Sequence, residues 1–220
     1  MLLFLGNDFD AVAFLAFIVV AFFAFAYHEL GHALAANYLG DTTPARYGRL
    51  TLNPIPHISL TGMVMLILIG FGWAVTPIDP TQFRGNIRVS HALVALAGPA
   101  ANLIMAILFA IPLRLIFDGN PFFFSFSEST FDLLVLYLQI GVRLNLFLIG
   151  FNLLPIPPLD GFWVLRGVLP TQLAYQLDGL RQYGTIIFLL VIFVLPNVGI
   201  SIFPAIETFT STLFSLLVGV

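Results

Sequence analysis

Long apolar stretches alternate along this chain with short polar, proline-rich ones. Residues 11–26 (AVAFLAFIVVAFFAFA) carry no charge and predict a first membrane helix over 10–38, entered from the side bearing Asp8 and Asp10. Gly40-Asp41 and Pro44 end it. Residues 45–62 then change character: Arg46, Arg49, β-branched residues and two prolines predict short strands or an ordered loop. As a helix, residues 63–75 (MVMLILIGFGWAV) would cover about 20 Å, less than the roughly 30 Å of a hydrocarbon core. With Gly70 and Gly72 interrupting it, this segment either crosses or enters and returns. Further spans are predicted over 89–117, 131–154 and 184–203, with a proline-stiffened break at 155–161 (PIPPLDG) and an interfacial stretch at 162–182. Residues 205–220 are apolar but short, predicting a marginal last span or a surface-lying helix. The pattern predicts an all-α polytopic membrane protein of about four to six transmembrane helices, with a re-entrant or short β-like segment. It reads as one domain over 1–220, with its core at about 10–168 and C-terminal membrane helices over 184–220.

Composition sharpens this picture. Of 220 residues, 60% are hydrophobic and 9% charged, more apolar surface than a soluble fold of this size can hide. Cysteine is absent, so thiolate zinc ligation and thiol catalysis are excluded. The net charge of −3 argues against nucleic acid as a partner.

Where the first apolar run should stay apolar it meets His28-Glu29-Leu30-Gly31-His32. On a helix His28 and His32 lie one turn apart on one face, so both imidazoles reach one metal ion. Glu29 lies beside them, placed to take a proton from a water activated by the metal. Three such groups are costly inside a bilayer without a partner or a water-filled cavity, which favours the metal reading over a chance motif. His28 lies about 27 Å along the helix from residue 10, so the site sits toward the far face, called side A here.

A catalytic zinc takes three protein ligands and keeps one position open. Asp160 stands out as the third, lodged between a span and a proline-fixed break, although the same position suits a cap for the helix starting at Gly161. Topology bears on the choice. If residues 63–75 re-enter, Asp160 arrives on side A together with Arg46, Arg49, Arg84, Arg88, Arg166 and Arg181, leaving Arg114 near the other end. If they cross, the arginines split and Asp160 emerges away from His32. The one-sided count favours re-entry and makes side A cytoplasmic.

HELGH in a membrane span, Gly98-Pro99-Ala100-Ala101-Asn102 inside a later one and NLLPIPPLDG at 152–161 together resemble the site-2 proteases, intramembrane zinc metalloproteases. GRLTLNPIPHI (48–58) and FGWAVTPIDPTQF (71–83) resemble the short prokaryotic branch without PDZ or CBS domains. The resemblance implies one Zn2+ per chain held by His28, His32 and Asp160, with Glu29 as general base and proton shuttle. It places Asn102 and Asn152 near the site, holding a substrate strand or the developing oxyanion. Implied substrates are membrane proteins with a transmembrane segment, cleaved in a prokaryotic plasma membrane with the site toward the cytoplasm, in regulated proteolysis or in signal-peptide clearance. One departure is visible: Gly161 is followed by Phe162-Trp163, where the family commonly has glycine and arginine. Two other functions compete. A catalytically inactive pseudo-protease that binds membrane partners would not need Glu29. A metal transporter would spread its polar residues along several spans, whereas here they cluster at one depth. The oligomeric state is not legible.

Overall fold

The computed structural model describes residues 10–220, apart from the Phe124 side chain. It is all-helical, with no strand among the described residues. Asp8 lies outside them.

Helix α1 (Ala11–Tyr38) starts where Asp10 Oδ1 accepts from the amides of Val12 at 2.9 Å and Ala13 at 3.0 Å, closing the helix end with a side-chain cap. Its inner face is built on small residues, with Ala16, Ala21, Ala24, Ala33 and Ala36 all buried. Lipid supplies no hydrophobic drive between helices, so close backbone approach through small residues holds such a bundle together. The predicted strands at 45–62 do not form. Pro44 instead opens the one-turn helix α2 (Thr43–Arg46), and a 3-10 turn follows at Ile55–His57. Proline fixes φ near the helical value at a first-turn position, where its missing N–H is not needed. His57 is buried, with Nε2 2.9 Å from Thr51 O, and serves this loop.

Helix α3 (Leu60–Ile69) is only 10 residues long and ends at Gly70, whose φ of 77° is the left-handed conformation suited to glycine. The chain then returns over 71–79 without helical structure, pressed on α3 where Gly62 has no side chain to hold off the backbone of Trp73. The return reaches the C-terminal end of α1. There Asp79 donates its amide to Asp41 Oδ2 at 2.7 Å, and Arg84 donates its amide to Leu39 O at 2.7 Å. Residues 63–75 therefore enter and return.

With both ends of that excursion on side A, α4 (Ile87–Phe117) runs away from side A and α5 (Glu128–Asn152) runs back. Each begins earlier than the apolar pattern suggests, because Asn86 and Ser127 accept from first-turn amides. Helices α1, α4 and α5 form the central bundle. After a break containing a cis Pro157–Pro158 bond come α6 (Asp160–Val168), crossing α4, and α7 (Thr171–Asp178). Helix α8 (Gly184–Leu189) continues through a π turn and a 3-10 turn to Val198, so that 171–198 is long and apolar enough to cross a membrane, as are α1, α4 and α5. Helix α9 (Phe203–Val218) does not lie on the surface: Phe214 and Val218 are buried in one core with Leu113, Val142 and Leu146 of α4 and α5. Arg143, midway along α5, rests its guanidinium over the Phe214 ring at 4.1 Å, a cation–π contact.

Candidate metal centre

His28 and His32 both face the interior of the bundle, about 15 and about 9 Å below the side A end of α1. Their rings are perpendicular, at 87° with centroids 4.6 Å apart. Each ring is held from behind. His28 Nδ1 lies 2.6 Å from Asn102 Oδ1, and His32 Nδ1 lies 2.8 Å from Val94 O. Both partners are acceptors, so both Nδ1 atoms carry the proton, and both Nε2 atoms present lone pairs. These lone pairs face each other across 3.0 Å.

Asp160 completes the group from 128 residues further along the chain. Its Oδ2 lies 3.1 Å from His28 Nε2, and its Oδ1 lies 3.4 Å from His32 Nε2. The carboxylate does not cap α6: Leu159 holds that position without a side-chain hydrogen bond, and Asp160 is the first helical residue. Three electron-pair donors thus surround one point with no proton of their own to share. A tetrahedral zinc with ligands at about 2.0–2.1 Å places those ligands about 3.3 Å apart, and the separations of 3.0 Å between the two Nε2 atoms and of 3.1 and 3.4 Å from them to the two Asp160 oxygens suit such an ion. The coordinating atoms of His28, Glu29 and His32 also lie within 4.8 Å of one another.

The geometry depends on Gly98. A Cβ there would stand 2.5 Å from Cε1 and Nε2 of His32 and 2.6 Å from Nε2 of His28, so the α4 backbone itself forms the floor of the site. The next residue, Pro99, cannot donate to Ala95 O, leaving this turn of α4 one hydrogen bond short, beside the Val94 carbonyl that orients His32.

Asn102 lies against the site, whereas the Asn152 side chain turns back on its own helix. Asn102 is fully buried, and its amide donates to Ala24 O at 3.2 Å and to Asn145 Oδ1 at 2.9 Å while its oxygen faces His28. Both its donors are thus engaged within the bundle, and its oxygen is the group that meets His28 Nδ1. Asn152 donates to Leu148 O at 3.0 Å, back along its own helix. Asn145 is the residue that sequence reasoning passed over. It donates to Gly141 O at 2.8 Å and carries the buried polar chain from α1 through α4 to α5. A second asparagine seven residues before Asn152 was the available signal. Asn102→Ala would strand His28 Nδ1, Ala24 O and Asn145 Oδ1 together. Metal affinity is expected to fall about 10–100-fold, measured by competition with a chelator, with the protein still folded.

The site opens into a cavity of about 390 Å³, walled by Glu29, His32 and Asp160 on one side and by Ala74, Val75 and Thr76 of the returning limb on another. Thr76 Oγ1 donates to Glu29 O at 3.0 Å and ties the limb to the site. Trp163 lines the cavity, its ring stacked on His91 with centroids 4.0 Å apart and the Arg181 guanidinium 4.7 Å from its own ring centroid. Of the departure at Phe162-Trp163, Trp163 falls on the cavity wall and Phe162 is buried behind it in the core.

The chain is 37% identical over 181 residues to YwhC of Bacillus subtilis, a protein named as a candidate zinc metalloprotease, covering 81% of this chain and 80% of that one. The chain belongs to the site-2 protease family. Rip2 of Mycobacterium tuberculosis, similarly named, is 35% identical over 184 residues, covering 78% of this chain and 64% of Rip2. MJ0611 of Methanocaldococcus jannaschii, also similarly named, is 28% identical over 162 residues, covering 72% and 73%. No family model and no solved structure matches. Membership makes this protein a metalloprotease relative in which the HExxH pair, Asp160 and the GPxxN segment meet in one place.

Proposed function

We propose that the protein is an intramembrane zinc endopeptidase, hydrolysing peptide bonds within or beside the transmembrane segments of membrane-protein substrates in a prokaryotic plasma membrane. The observation that carries this reading is the donor group of His28, His32 and Asp160, the two Nε2 atoms 3.0 Å apart with Asp160 Oδ2 3.1 Å from one and Oδ1 3.4 Å from the other, beside a buried Glu29 at membrane depth. Two imidazoles and a carboxylate suit a catalytic zinc with one open position, at one ion per chain. Zinc, when bound, supplies Lewis acidity toward the scissile carbonyl and water activation near neutral pH. Glu29 takes the proton of the attacking water on a carboxylate oxygen and returns it to the departing amine. Asn102 and the Val94 carbonyl keep both imidazoles in the tautomer that offers Nε2.

A helical substrate hides its backbone, so it has to unwind at the scissile bond. The returning limb suits an unwound strand. Among the described residues no backbone–backbone hydrogen bond involves residues 71–78, although they pass Glu29, whose carbonyl accepts from Thr76 Oγ1 at 3.0 Å. Such a segment can take a substrate by strand addition. The arginine bias supports a cytoplasmic side A.

Zinc stoichiometry in detergent-purified protein tests the reading. Wild type is expected to carry close to one zinc per chain, and His28→Ala and Asp160→Ala to lose it. Folded, freshly purified wild type without zinc would sink the proposal. Zinc retained in Asp160→Ala would remove Asp160 from the ligand set.

A further inference from the structure

A second cavity lies on side A, where the first turns of α4 and α7 meet the last turn of α6. It measures about 420 Å³ and is lined by Asn86, Arg88, Arg166, Thr171 and Tyr175, with no carboxylate in its wall. Arg166 is engaged: its Nε and Nη2 donate to Asp178 at 2.6 and 2.8 Å, a pair that ties α6 to α7. Arg88 is not. Its Nη1 is buried without a hydrogen-bond partner, and among the described residues no carboxylate pairs with it. A buried guanidinium nitrogen in that condition is unfavourable until an acceptor reaches it. Helix α7 adds to the positive character, because no side chain caps its N-terminus and its first-turn amides have no helical acceptor. The hydroxyls of Thr171 and Tyr175 are further donors.

Position in the membrane narrows the ligand. Ile87 and Thr171 begin two of the apolar stretches long enough to cross a bilayer, so the cavity stands at headgroup level. We propose that this cavity binds a phosphate group, supplied in the membrane by the headgroup of an anionic phospholipid. Arginine matches phosphate in charge and in planar donor geometry, and basic pockets between membrane helices hold such headgroups. Helix α6 carries Asp160 at its first residue and Arg166 near its last, so a headgroup seated here braces the helix that presents the carboxylate to the histidines.

The test is thermal unfolding of the full chain in nonionic detergent, titrated with phosphatidylglycerol, phosphatidylcholine or inorganic phosphate. Phosphatidylglycerol is expected to raise the midpoint and phosphatidylcholine to leave it unchanged. In Arg88→Gln, half-saturation should move at least about tenfold higher, the loss of one charge-assisted contact. Arg84→Gln removes the same charge outside the cavity wall and should titrate like wild type. Thr171→Val should shift half-saturation in the same direction as Arg88→Gln, and it reads the site if Arg88→Gln fails to fold. A shift from inorganic phosphate alone, lost in Arg88→Gln, keeps the phosphate site but overturns the lipid as its source. Equal effects of the two lipids, an undiminished shift in Arg88→Gln, or an equal loss in Arg84→Gln would overturn the proposal.

Discussion

Gly98→Ala is expected to abolish zinc binding while leaving the helical bundle in place. The new methyl would stand 2.5–2.6 Å from the metal-facing nitrogens of His32 and His28, well inside van der Waals contact. Neither ring is a loose end that can swing away. His28 is held through Nδ1 by Asn102 at 2.6 Å, and His32 by Val94 O at 2.8 Å. Yielding means breaking those hydrogen bonds or moving α1 from α4, and overpacking of this kind costs about 1–3 kcal/mol. Either response pulls the nitrogens out of a triangle whose edges must stay near 3.3 Å for zinc at its usual bond length. Zinc affinity should therefore drop by at least about 100-fold, the upper range for disturbing groups that orient ligands. Metal content by mass spectrometry, with circular dichroism to establish retained helicity, makes the comparison. A Gly98→Ala protein with wild-type zinc would show that the donor triangle is not where the ion sits.

Glu29→Gln is expected to leave zinc bound and remove peptidase activity. The amide keeps the size of the side chain but has no basic oxygen to take a proton, and a positioned general base contributes about 10²–10⁴-fold to rate. Because Glu29 neighbours His28 and His32 within 4.8 Å, it is also the rival for the third ligand position. The same variant separates the two roles. Lost turnover on a membrane-embedded substrate with zinc intact assigns Glu29 to proton transfer and leaves ligation to Asp160. Lost zinc would make Glu29 a ligand, and unchanged turnover would remove it from the chemistry altogether.

The parts of the site that lie within one helix were legible in the sequence. Spacing of four residues suffices to bring His28 and His32 onto one face, because helical periodicity is a local property of the backbone. The cost of burying three polar groups in an apolar run then points to a metal. Asp160 was only half legible. Its proline-fixed setting marked it, yet a capping role read equally well, since nothing local says which way a carboxylate turns at a helix start. Asn102 was placed near the site, but its task follows from partners on α1 and α5 at 43 to 78 residues' separation. Asn145 carried no motif at all.

The hydrophobic pattern by itself determined an all-helical membrane bundle, its main spans and the HExxH face, because each follows from the near-neighbour physics of apolar runs and helical turns. Tertiary structure alone decided that residues 63–75 return rather than cross, through the contacts of Asp79 with Asp41 and of Arg84 with Leu39. It decided as well that Asp160 meets both histidines, that Gly98 must lack a side chain, and that α9 packs into the bundle instead of on its surface. Each of these is a juxtaposition of segments distant in the chain. Such contacts are set by how helices cross and which loops return, information that no window of residues contains.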